Sequence, residues 1–159
     1  MFEELSLHIL DIAMNSLAAN AGKVEISVLE SRQHDWLILR VRDDGRGMDA
    51  ATLHRVLRGG TTKASRRKDI GLGLALLRQT SEMCGGHFHV RSAPGRGTSV
   101  TASMRFRHID RPPLGDLNAT ILTLCATNPA VDVCLHYRTD KETFHFSSQE
   151  LTAKGKAKP

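Results

Sequence analysis

The stretch DDGRGM, residues 43–48, sets two carboxylates and a Gly-x-Gly at the end of a strand pattern, and the rest of the chain is read outward from it. Upstream, KVEISVLES (23–31) and DWLILRVRD (35–43) alternate apolar with polar residues around a short polar loop, so they pair as antiparallel strands. Asp43 then ends a strand. Its carboxylate can accept a hydrogen bond from an exocyclic amine, while Gly45 and Gly47 let backbone approach a flat ring without side chains in the way. Asp44 faces solvent in that arrangement. Taken alone, DDGRG reads equally well as a simple acidic turn.

Residues 3–19 repeat apolar side chains at Leu5, Ile9, Ile12 and Ala13, which predicts a helix with a wide buried stripe. Asn20-Ala-Gly22 stops it. Asp49 caps a short helix over 50–57, and the aperiodic, basic segment 58–70 reads as a long mobile loop. A third helix follows over 72–84 and ends at Gly85-Gly86. HFHVRSA and TSVTASMRF are strands joined at Pro94-Gly95-Arg96-Gly97. The order predicts an α+β two-layer sandwich, a mostly antiparallel sheet with helices on one face, over residues 1–107. Beyond it, 108–150 forms an extension: the linker RPPLGD, a helix over 117–127 and a hairpin of VDVCLHYR with ETFHFSS. Residues 151–159 are expected to be a disordered tail.

A chain of 159 residues with 40% hydrophobic and 25% charged residues is one globular unit with a real core. No apolar run is long enough for a bilayer, and the N-terminus is unlike a secretory leader, so a cytoplasmic location is expected with no membrane partner. Cys84, Cys125 and Cys134 lack metal-site spacing and read as buried free thiols. The net charge of +5 is uneven, with Arg58, Lys63, Arg66, Arg67 and Lys68 in one segment and Lys154, Lys156 and Lys158 in the tail. A local anion site fits this better than a nucleic-acid face, because one Trp and one Tyr supply no stacking platform.

Three further elements bear chemistry. Asp11 and Asn15, four apart on the first helix, share a face and offer hard acceptors to an oxygen-coordinated cation or a water; alternatively they bridge elements in the core. Gly71-Leu72-Gly73-Leu74 opens a helix after the basic loop, where bare N–H groups make a phosphate cradle, or else it is a flexible joint. It fits neither a Rossmann fingerprint nor a Walker-type loop, since Leu76 replaces the third glycine and no GxxxxGK[ST] exists. Pro94-Gly95-Arg96-Gly97-Thr98 is, by itself, a hairpin turn.

In order and spacing these elements resemble the histidine-kinase-like (GHKL) ATPase superfamily, shared by sensor kinases, anti-sigma factor kinases, gyrase and MutL. The resemblance covers about residues 5–106, roughly two-thirds of the chain. It implies a Bergerat-type ATP-binding fold with ATP and Mg2+ as cofactors. The N box is similar to LHILDIAMNSLAANA, with Asn15 as the implied magnesium ligand; the first glycine box is similar to Asp43-Asp-Gly45-Arg-Gly47, with Asp43 reading the adenine amine. Met48 would line the apolar wall. The second glycine box is similar to Gly71-Leu72-Gly73-Leu74, and the closing Gly-Thr to Gly97-Thr98, with Thr98 helping to hold adenine. Segment 58–70 becomes the lid, with Thr61, Thr62 and Lys63 as its ATP-contacting candidates.

The chain departs from the family in two places. Where the hydrolysing branches carry a glutamate general base, four residues before the asparagine, this chain has Asp11, one methylene shorter. Only four residues precede Leu5, so the phosphoacceptor helices of a sensor kinase are not expected, and neither is self-phosphorylation. The implied function is a stand-alone, magnesium-dependent ATP-binding regulator in signal transduction, acting as a kinase or slow ATPase on a partner protein. The alternative is a non-catalytic nucleotide sensor whose ordered lid or C-terminal extension docks a partner. The hairpin edge is also a candidate for pairing between subunits of a homodimer.

Overall fold

The computed structural model describes residues 4–58 and 70–150, and of Ile70, Gly71 and Leu72 it describes only the backbone. The elements run α1 (Leu5–Ala18), β1 (Lys23–Ser31), β2 (Trp36–Asp43), α2 (Ala50–Leu57), α3 (Ile70–Met83), β3 (Phe88–Ser92), β4 (Thr98–Arg105), α4 (Leu117–Thr127), β5 (Asp132–Arg138) and β6 (Thr143–Ser147). They form a two-layer α+β sandwich. Its six strands are ordered β3-β4-β2-β1-β5-β6, antiparallel except for the β1–β5 pair, with α1, α3 and α4 packed on the sheet.

Strand alternation decides which side chains meet the helices. Along β2, Leu37, Leu39 and Val41 are buried, while Arg40 and Arg42 point to the opposite, open face. The buried set meets Leu5, Ile9, Ile12 and Ala13 of α1 and Leu74 and Leu77 of α3 in one core. Cys84 and Cys134 are buried free thiols and Cys125 is half-buried; burial pushes the Cys134 thiol up to about 11.

Two local expectations change in the folded chain. The helix read over 72–84 begins at Ile70, so Gly71 and Gly73 lie inside its first turn. The 108–150 extension continues the same sandwich: β5 adds to β1 in parallel, with Ile26 opposite Leu135, and α4 packs on α1. Its linker holds the start of α1 through Leu5 N–H to Pro113 O at 2.9 Å and Ser6 N–H to Leu114 O at 2.8 Å. The β5–β6 turn is tied to the β1–β2 turn, because the Asp140 carboxylate accepts from Ser31 Oγ and from the N–H groups of Arg32 and Gln33. No helix among the described residues is long and apolar enough to cross a membrane. Thr61, Thr62, Lys63 and the 151–159 tail lie outside the described residues.

His8, on the core side of α1, is 1% exposed, and burial pushes its imidazole down from 6.5 to about 4. The fold therefore favours the neutral ring. Stability is full above the unfolded value and falls as pH drops from 6.5 toward 4, by an amount on the order of 3 kcal/mol at the acid end. Replacing His8 with leucine is expected to flatten the loss of urea midpoint between about pH 7 and about pH 4.5. A pH dependence identical to wild type would assign that loss to other groups.

Candidate functional site

Asp43 ends β2 directly opposite Thr98, the first residue of β4, and its side chain turns toward α1. Its Oδ1 accepts from the N–H of Gly45 at 2.8 Å and of Thr98 at 3.3 Å, and its Oδ2 accepts from the Ser16 hydroxyl at 2.6 Å. A carboxylate offers about four acceptor positions, so these three donors hold it rigidly and leave room for about one more. The group is oriented but not saturated. It remains half-buried, so an incoming N–H can reach it.

Beside it, Ser92 joins two of the motifs. Its hydroxyl accepts from the Met48 N–H at 2.8 Å, donates to Gly97 O at 3.1 Å, and lies 2.9 Å from Thr98 Oγ1. Met48 is partly buried and packs against the core, consistent with an apolar wall.

Gly47 of the first box and Gly97 of the closing Gly-Thr serve the chain's own backbone. A Cβ on Gly47, whose φ is +71°, would collide with the Ala93 carbonyl; one on Gly97, at φ +76°, would collide with the carbonyl of Asp43. The 43–48 loop and the 93–97 turn thus interlock, and Gly95 N–H to Arg46 O at 2.7 Å fastens them. The space expected to admit a ring at Gly47 is taken by this neighbouring turn. Asp44 is exposed, as expected, and its Oδ1 also accepts from the N–H groups of Gly22 and Lys23, which pins the α1–β1 joint.

On α1, Asp11 and Asn15 are both half-buried. Gly73 of α3 sits against Asp11 so closely that a Cβ there would run into the carboxylate. The glycine therefore permits α3 to approach α1 at this point. Leu74 is 3% exposed, so its side chain belongs to the core. Asn15 Nδ2 is buried without a hydrogen-bond partner among the described residues, which leaves that carboxamide uncommitted. No group of three or more His, Cys, Asp or Glu side chains is gathered for a metal among the described residues. A magnesium ion needs no such cage, since it keeps several waters and takes one or two protein ligands with substrate phosphates. The Asn15 carboxamide fits that requirement.

The structure thus brings Asp11, Asn15, Asp43, Gly45, Gly47, Met48, Gly73 and Thr98 together through α1, α3 and the ends of β2 and β4. Ser16 and Ser92 complete the set and were not singled out from the sequence. Ser16 lies 27 positions from the carboxylate it holds, and no local pattern marks such a partner.

The model of the histidine kinase-, DNA gyrase B- and HSP90-like ATPases matches residues 1–108. Sensor histidine kinase YvrG of Bacillus subtilis is 34% identical over 91 residues, covering 55% of this chain and 16% of the kinase. Sensor histidine kinase DcuS of Escherichia coli is 37% identical over 89 residues, again 55% of this chain and 16% of the kinase. The chain therefore corresponds to a small part of either relative. Among solved structures, the Aquifex aeolicus MutL ATPase domain complexed with ADP superimposes with TM-score 0.56 at 17% identity, covering 98% of this chain and 68% of that one. The N-terminal domain of a DNA repair protein superimposes with TM-score 0.60 at 14% identity, covering 92% and 53%. The chain belongs to the histidine kinase-, DNA gyrase B- and HSP90-like (GHKL) ATPase family.

Proposed function

We propose that this chain binds ATP with magnesium in the pocket between α1, α3 and the β2 and β4 ends, and acts as a kinase or slow ATPase on a partner protein in signal transduction. The observation that carries the reading is two sets of contacts that meet on α1: Gly73 against Asp11, and Ser16 through Asp43 to Thr98 and Ser92. Elements distant in the chain are thereby aimed at one place. Likeness to the nucleotide-binding part of sensor kinases supports it.

Asp43 accepts from the adenine amine with its remaining lone pair, held by the Gly45 and Thr98 N–H groups and by Ser16. Met48 forms an apolar wall beside the ring. The N–H groups of Gly71 and Leu72, in the first turn of α3, precede its first intrahelical bonds and carry its positive end, which suits phosphate oxygens, and Gly73 and Leu74 follow them directly. Thr61, Thr62 and Lys63 add lid contacts. Magnesium, when bound, neutralises phosphate charge, and Asn15 would hold it. Asp11 is the group to take a proton from an attacking water or hydroxyl. The partner protein supplies the acceptor where phosphate is transferred.

Calorimetric titration tests the binding. ATP is expected to bind the folded chain with magnesium, and GTP far more weakly. Asp43→Asn offers one acceptor oxygen where the carboxylate had two, so ATP affinity is expected to fall about tenfold with the fold intact. Equal ATP affinity in that variant, or no nucleotide binding by wild type, would refute the assignment. In a labelled-ATP assay, Asp11→Asn is expected to lower hydrolysis or transfer about a hundredfold while ATP still binds. Turnover equal to wild type would remove Asp11 from the role of base.

A further inference from the structure

The helix-free face of the sheet carries a second charged feature. Pairing sets its side chains in two rungs, Arg91–Ser99–Arg42 and His89–Thr101–Arg40, across β3, β4 and β2. In each rung a short hydroxyl residue stands between two longer basic ones. The middle strand is therefore low and its flanks high, and a cavity of about 510 Å³ results, walled by Arg40, Arg42, Arg91 and Arg96. At its inner end the lining passes through Asp43, Ser92, Gly97 and Thr98, residues also placed at the nucleotide site, but the Asp43 carboxylate is held by Ser16 on the α1 side.

None of the four guanidinium groups meets a carboxylate among the described residues. Arg40 Nε donates to Ser99 Oγ at 3.4 Å and Arg91 Nε to His89 Nε2 at 3.4 Å. Glu25, the β1 neighbour of Arg42 in register, is committed to Lys23 at 3.3 Å. Four like charges gathered around one concavity repel each other and lower the stability of the fold. An anion seated among them reverses that sign. Guanidinium forks and a hydroxyl on the floor are a donor set matched to phosphate oxygens, and the volume is that of a small-molecule site. No aromatic side chain lines the cavity to stack a base. Trp36, on the same strand as Arg40, is itself covered by Arg105, 3.9 Å from the ring centroid.

We propose that the arginines of this concavity, on the sheet face opposite the helices, bind a small ligand carrying two or more adjacent phosphate groups in addition to the nucleotide held on the α1 side, the two sites meeting at the β2 and β4 ends. The probe is tripolyphosphate, titrated into the full chain at about 150 mM salt with ADP in excess, so that the nucleotide pocket does not contribute. Wild type is expected to bind saturably at one-to-one stoichiometry. The Arg42→Gln/Arg91→Gln double variant is expected to bind at least about tenfold more weakly, and Arg96→Gln, at the exposed turn, about threefold. Arg138→Gln, on β5 outside the cavity, is expected to bind as wild type does. ADP affinity should be the same in all four, and the double variant should melt no lower than wild type, because repulsion is relieved; if it does not fold, Arg96→Gln carries the test.

Absence of saturable binding by wild type would overturn the proposal, as would equal weakening by Arg138→Gln, which would mean diffuse charge attraction. A single-stranded oligonucleotide that outcompetes tripolyphosphate through the same arginines would overturn it too, making the face a nucleic-acid surface. If ADP fails to bind but tripolyphosphate binds through these arginines, the nucleotide reading falls and this one stands.

Discussion

Asn15→Ala is expected to abolish the magnesium-dependent part of ATP affinity, a loss on the order of a hundredfold with magnesium and little change in excess chelator. The asparagine sits half-buried on α1, one turn from Asp11, and its Nδ2 has no hydrogen-bond partner among the described residues. Among the described residues, removing it therefore strands no donor or acceptor. Alanine is also the better helix former, so the melting temperature should hold or rise slightly. That combination separates a ligand-holding role from a structural one, since a core asparagine bridging elements would lower stability when lost. The check is paired: titration of ATP with and without magnesium, and a thermal melt of the same sample. An unchanged ratio of the two affinities would remove Asn15 from the metal.

Gly47→Ala is expected to cost about 3 kcal/mol or more of folding stability, a large share of a typical domain's 5–15 kcal/mol. The φ of +71° places residue 47 in the left-handed region, and the added methyl would collide with the backbone carbonyl of Ala93, which cannot rotate away as a side chain would. Gly95→Ala is the matched comparison. Its φ is +74°, nearly the same, yet nothing lies within 4 Å of an added Cβ, so only the conformational cost of about 1 kcal/mol applies. Urea midpoints of the two variants would measure the collision by difference. Equal losses would mean that the 43–48 loop and the 93–97 turn do not interlock as described. Because Thr98 follows that turn and donates to Asp43, Gly47→Ala should also weaken ATP binding more than Gly95→Ala does.

Both substitutions fall in segments that sequence motifs had already marked, but for reasons the motifs do not contain. Helical periodicity over 5–18 and 117–127, the Asp49 cap and the alternation in β1 and β2 are set by neighbours within a few residues, so they read directly from order and spacing. The box residues proposed for the site, Asp11, Asn15, Asp43, Gly73 and Thr98, could be singled out for the same reason: they stand in short patterns in a fixed order. Other features follow from contacts between distant positions. The parallel seating of β5 on β1, which draws the C-terminal extension into the sheet, is one of them.

The serines that hold the site are another case. Ser16 and Ser92 are unremarkable in their local patterns, and each gains its role only when β2 meets α1 or β3 meets β4. The same holds for the arginine concavity, whose members come from β2, β3 and the 93–97 turn and look like ordinary solvated charges along the chain. Local order thus established the elements and the family resemblance, and marked the candidate box residues, because those depend on spacing along one segment. Register and packing alone settled which carboxylate is held by which hydroxyl, which glycine yields to which carbonyl, and where unpaired charge collects. Those are properties of atoms brought together in space from separate segments, and no single window of sequence contains them.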